Sequence, residues 1–113
     1  MPHCIIEYSK ELEDEIKPSQ LIERVYQGTL KSNLFIDKDI KLRTISFENH
    51  KIGNEKIDFI HVTVKILTGR SIEDKKALSH IILDDFKDID IKPLSVTVEV
   101  YEIENESYSK LVL

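Results

Sequence analysis

Three cations and one proline are the residues best suited to chemistry. Lys41 and Arg43 lie two apart in IKLRTISF, so a strand there puts both side chains on one face. Arg70 lies in LTGRS, where an alternating strand pattern hands over to a helical one. Gly69 permits a tight turn at that point, and the free amides of a helix start favour an anion. A guanidinium adds two parallel donors that match a carboxylate, whereas lysine adds a point charge. The fourth residue is Pro2, in MPHCIIEYS. If Met1 is removed, the Pro2 ring nitrogen becomes a secondary amine, a base that no side chain supplies. Each residue also has an ordinary reading. Pro2 suits the first position of a strand, Arg70 can pair with a nearby acid, and Arg43 can be a solvated strand residue.

These residues need elements to hold them, and the pattern supplies two similar blocks. The first is a strand over about 2–8, a helix from Pro18 to Asn33 and a strand over about 40–47. The second is a strand over about 57–67, a helix over about 71–88 and a strand over about 95–103. In the first helix Leu21, Ile22, Val25 and Thr29 share a stripe, and Pro18 and Ser19 suit its start. In the second, Ser71 and Asp74 have the form of a capping box, and Leu78, Ile82 and Phe86 share a face. Ile60, Val62, Val64 and Ile66 alternate with polar residues, as do Val96, Val98 and Val100. Residues 48–56 read as a loop around Gly53-Asn54.

Each block is β-α-β, giving an α+β fold: one four-stranded sheet with two helices. The handedness of such crossovers puts both helices on the same face. We expect one domain over 1–113, with halves at about 2–48 and 57–104. The uncovered face is expected to carry many apolar residues and to be buried by other subunits. The tail 104–113 ends in three apolar residues, expected to pack on this chain or a neighbour.

Composition narrows the function classes. The net charge is −5 and no basic run occurs, which disfavours nucleic acid as a partner. A site for an anion must therefore be assembled locally from a few cations. Cys4 is the single cysteine, which fits a reducing cytoplasm and a buried apolar role. No apolar run approaches the ~18 residues of a membrane span, and the acidic residues 1–16 do not resemble a signal peptide. His3, His50, His61 and His80 lack the spacing of a zinc motif. His61 reads as structural and His80 as solvated. His3 points away from the Pro2 face of its strand and takes no catalytic role. No phosphate-binding loop or nucleophile elbow occurs.

Pro2 opening a strand, the doubled β-α-β pattern and Gly-Arg-Ser before the second helix together resemble the tautomerase superfamily. Within it the chain is most similar to the 5-carboxymethyl-2-hydroxymuconate isomerase family. The resemblance is carried by MPHCIIEYS and by DFIHVTVKILTGRSIEDK at 58–75, and less closely by IKLRTI at 40–45. It implies a homotrimer and an isomerase that moves a proton along a conjugated 2-hydroxymuconate-type dienol to give the 2-oxo isomer. The implied setting is cytoplasmic breakdown of hydroxyphenylacetate-type aromatics, without metal or organic cofactor. Pro2 would carry the proton. Arg43 and Arg70 would bind the carboxylated substrate, with Lys41 standing where some relatives carry another arginine. Burial and nearby positive charge would lower the pKa of the proline amine towards neutrality, and the substrate-binding arginines would help to tune it. Two other readings stay open: a tautomerase of a smaller enol such as phenylpyruvate, and a non-enzymatic trimeric binding or scaffold protein on the same fold.

Overall fold

A computed structural model describes residues 1–113. Six elements follow in order: β1 (His3–Ser9), α1 (Pro18–Lys31), β2 (Lys41–Phe47), β3 (Asp58–Leu67), α2 (Ile72–Asp84) and β4 (Leu94–Ile103). Short 3-10 turns at Lys10–Asp14, Asp37–Asp39 and Asn105–Ser107 lie outside the expected pattern. The sheet order is β2-β1-β3-β4. β1 and β2 are parallel, β3 and β4 are parallel, and the two halves meet through the antiparallel pair β1–β3.

Period-2 alternation sorts the strand residues as expected. Cys4, Ile6 and Tyr8 of β1 and Ile60, Val62, Val64 and Ile66 of β3 are buried in one core with Leu21, Val25, Leu78, Ile82 and Phe86 from the helix side. Full burial of such an aliphatic side chain contributes roughly 1.5–3 kcal/mol. A one-residue slip would turn the whole set to the other face, so this face pins the register.

The helices begin where the sequence predicts. Pro18 opens α1, and the Gln20 side chain accepts from the Lys17 amide at 2.8 Å. Ser71 caps α2, its hydroxyl accepting from the Asp74 amide at 3.1 Å. Both helices end earlier than expected. After α1, the Ser32 hydroxyl donates to the Thr29 carbonyl at 2.6 Å and Asn33 takes φ 59°. After α2, Asp85 and Phe86 bond back three residues, to Ile82 and Leu83, at 3.1 and 3.0 Å. That tightening leaves α2 at Asp84 while keeping Phe86 in the core. The helices cross closely at Gly28, where an added Cβ would lie 2.9 Å from the Ile82 Cα.

The face away from the helices mixes apolar and polar residues, with Leu67 and Ile103 paired at its end. Ile5, Ile45, Phe47, Phe59 and Tyr101 alternate there with His3, Glu7, Lys41, Arg43, His61, Lys65 and Glu99, because those positions share the opposite strand parity from the core. The last three residues do not pack on their own chain: Leu111, Val112 and Leu113 are exposed. No helix is long and apolar enough to cross a membrane.

Candidate active site

Strand register assembles a site that no single stretch of sequence contains. His3 is paired with Lys41 across the parallel β1–β2 ladder and with Lys65 across the antiparallel β1–β3 ladder. Lys65 is in turn paired with Tyr101 on β4. Lys41, His3, Lys65 and Tyr101 therefore form one row across all four strands, on the face away from the helices. Arg43, two residues along β2, reaches back so that its Nη1 donates to His3 Nδ1 at 3.1 Å. The Lys65 ammonium lies 5.8 Å from the centre of the Tyr101 ring.

None of Lys41, Arg43, Lys65 and Arg70 belongs to a salt bridge. In a chain with 21 acids against 16 lysines and arginines, that is not a shortage of carboxylates. The fold thus gathers Lys41, Arg43 and Lys65 around His3 with no carboxylate paired to any of them, an arrangement able to take an anion.

His3, Arg43, Lys65, Tyr101, Glu104 and Tyr108 line much of a cleft of about 520 Å³ over this row. A larger cleft of about 590 Å³ lies between α1 and α2. Its wall charges are already spent on internal pairs: Arg24 with Asp88 at 2.6 Å, and Lys31 with Asp85 and Lys87 with Asp84, each at 2.8 Å. None of the sequence-predicted residues lines it, so the cleft over the cation row is the better site for an anion.

Pro2 is fully buried at the start of β1, and its carbonyl accepts from the Lys41 amide at 3.0 Å. The Met1 amine and the Lys41 ammonium both donate to the Asp39 carbonyl, each at 3.1 Å. Burial first, then the Lys41 charge, holds the pKa of this amine below its ordinary value. Burial and the Arg43, Lys41 and Lys65 charges push the His3 pKa down in the same way. Lys41 and, more weakly, Lys110 are the cations that lower the pKa of the Met1 amine. Cys4 lies in the core below, its thiol pushed up to about 11 by burial.

Lys41 thus lies beside Pro2 and Arg43 beside His3, whereas Arg70 is held elsewhere. Gly69, at φ 123°, makes the turn after β3. Arg70 then donates from Nη2 to the Leu34 carbonyl at 2.6 Å, and its guanidinium lies 5.5 Å from the centre of the Phe35 ring. It is exposed, and it touches the segment after α1 rather than the cation row. Sequence reasoning missed His3, Lys65, Tyr101 and Tyr108. The equal parity of Lys41, Arg43 and Lys65 with His3 was the available signal, but it needs the strand register to be read.

This sheet of two β-α-β halves, with free cations beside a proline-led first strand, has the fold of the tautomerase superfamily, a class of isomerases. The family model of 5-carboxymethyl-2-hydroxymuconate isomerase matches residues 2–111, and the chain belongs to that family of isomerases. A solved 5-carboxymethyl-2-hydroxymuconate isomerase from Deinococcus radiodurans R1 is 22% identical, with a TM-score of 0.73 over 97% of this chain and 88% of that one. A 5-carboxymethyl-2-hydroxymuconate delta-isomerase is 14% identical, with a TM-score of 0.79 over 99% of this chain and 88% of that one. A fused 4-OT wild-type asymmetric trimer is 15% identical, with a TM-score of 0.78 over 96% of this chain and 91% of that one. No curated protein matches the chain.

Proposed function

We propose that the protein isomerises a 2-hydroxymuconate-type dienol to its 2-oxo form, with the amine of Pro2 as proton carrier after removal of Met1. The observation that carries this reading is the row of unpaired cations at the start of the proline-led strand. The amine takes the proton of the 2-hydroxyl, leaving a dienolate, and the resulting ammonium returns a proton to a carbon of the conjugated chain. The reaction is redox-neutral, and the base ends as it began. Burial of Pro2 and the neighbouring Lys41 charge would hold the freed proline amine below its ordinary pKa and let it accept that proton near neutrality. Arg43 and Lys41 bind carboxylate and stabilise the negative charge that develops on the dienolate oxygen. Arg70, now on the Leu34 carbonyl and the Phe35 ring, would have to swing from them to take a distal carboxylate. The working form is a homotrimer, in which a neighbour covers the mixed polar and apolar sheet face and the exposed Leu111–Leu113 end. The setting is catabolism of hydroxyphenylacetate-type aromatics in the cytoplasm.

The test compares mature protein, Pro2→Ala and a Met-retaining form on a 2-hydroxymuconate dienol and on phenylpyruvate enol. Loss of about 10²–10⁴-fold in both altered forms is expected, the size of a general-base contribution. Equal activity in all three would make Pro2 only a strand start. A preference for phenylpyruvate enol would move the substrate to a smaller monoacid.

A further inference from the structure

The hydrogen bonds around His3 settle its tautomer, and through it the role of a residue in the tail. A guanidinium can only donate. Arg43 Nη1 lies 3.1 Å from His3 Nδ1, so Nδ1 accepts and carries no proton. The neutral ring then bears its proton on Nε2, which lies 3.0 Å from the Tyr108 hydroxyl oxygen. Nε2–H donates and the Tyr108 oxygen accepts. Tyr108 has one hydroxyl proton, and this bond does not use it. The two rings meet edge to face, 5.9 Å between centres at 71°. Burial and the Arg43, Lys41 and Lys65 charges keep the ring neutral, which preserves the arrangement.

Tyr108 lines the same cleft as Arg43 and Lys65. The acids in that lining are Glu102, paired with Lys75 at 2.8 Å, and Glu104. An anion entering the cleft belongs at the end formed by His3, Arg43 and Lys65, where the Tyr108 hydroxyl is. Lys110, two residues further on, lies 3.6 Å from the Asp39 carboxylate and fixes the tail beside the chain start.

We infer that Tyr108, brought over the sheet by the C-terminal tail and oriented by His3, donates its hydroxyl proton to a carboxylate of the substrate. His3 is then a positioning residue acting through Tyr108, and Tyr108 is a specificity residue for carboxylated ligands. The inference rests on the proposed reading for its substrate but not for its test. The probe is adipate, a saturated dicarboxylate that cannot tautomerise, titrated into full-length protein by calorimetry. Tyr108→Phe keeps the ring and is expected to weaken adipate about ten- to a hundredfold, the worth of a hydrogen bond to a charged group. Ring nitrogen NMR of the unaltered protein is expected to show His3 protonated at Nε2 and bare at Nδ1. The Tyr108 Cζ resonance is expected to move on adding adipate, a readout that needs no variant. A proton on Nδ1, an unmoved Tyr108 resonance, or unchanged affinity in Tyr108→Phe would each overturn the inference. If adipate binds through Tyr108 but no dienol is turned over, the inference stands and the proposed reaction falls. If dienol is turned over equally well by Tyr108→Phe with unchanged adipate affinity, the reverse holds. If the protein neither binds adipate nor turns over dienol, both fall.

Discussion

Arg43 and His3 are joined by a 3.1 Å hydrogen bond between neighbouring parallel strands, the guanidinium donating and the imidazole accepting. An imidazole that accepts from a cation cannot also be protonated there. His3 is thereby a neutral group inside a positive cluster, and its titration is tied to the integrity of the fold.

Stability should fall in acid partly through His3. Its pKa is lowered in the folded protein, so below the ordinary value of 6.5 the unfolded chain binds a proton that the folded chain resists. Stability contributed by the neutral ring is present above 6.5 and is lost as pH falls from there through the lower native value. His3→Gln should show a smaller drop between pH 7.5 and pH 5 in urea titrations. An identical drop in both proteins would mean that His3 titrates normally.

The pH profile should respond to Lys41 more than to Arg43. Lys41 and the Met1 amine share the Asp39 carbonyl, and the Lys41 charge lowers the Met1 amine pKa; the Pro2 amine freed by removal of Met1 is expected to feel the same charge. In mature protein, kcat/KM should rise with pH as the amine loses its proton. Lys41→Gln should move that rise to higher pH, because a neutral neighbour no longer disfavours the ammonium. A shift with Arg43→Gln and none with Lys41→Gln would assign the tuning to the arginine.

Arg70→Ala should cost about ten- to a hundredfold in kcat/KM on a dicarboxylated dienol, the value of a charge-assisted pair. Arg70 is exposed and makes no salt bridge, so the melting temperature should hardly change. A lower melting temperature with normal kinetics would make Arg70 only the tether of Leu34 and Phe35.

Cys4 should be inert in the folded protein. It is fully buried and its thiol is pushed up to about 11, so almost no thiolate exists at pH 8. A disulfide reagent should label it only after denaturant is added. Rapid labelling of native protein would show that β1 opens readily.

Gly28→Ala should destabilise by about 1–3 kcal/mol, the usual cost of overpacking. The new methyl would sit 2.9 Å from the Ile82 backbone and 3.0 Å from Asp85 Oδ2, so the helices must separate. A gain in stability, as alanine gives in an open helix, would show that the crossing is loose.

The helices and strands are legible in the chain because their signals are local. Alternation in Ile60–Ile66, the stripe from Leu21 to Thr29 and the Ser71 cap depend only on neighbours in the chain, and each appears where its pattern places it. The doubled β-α-β pattern also carried the family, together with Pro2 and the Gly-Arg-Ser turn. The candidate site, by contrast, depends on how the strands pair. Lys41, His3, Lys65 and Tyr101 meet because two parallel pairs are joined by one antiparallel pair in a particular register, a non-local choice fixed by burial of the opposite face. Strand parity correctly turned His3 away from the Pro2 side, yet that same parity set it among the cations. The direction of Arg70 followed the Leu34 carbonyl and the Phe35 ring rather than its place before a helix. The path of the tail, which brings Tyr108 to His3 across 105 residues, left no periodic trace in the chain, since a single long-range hydrogen bond needs no repeating pattern to form.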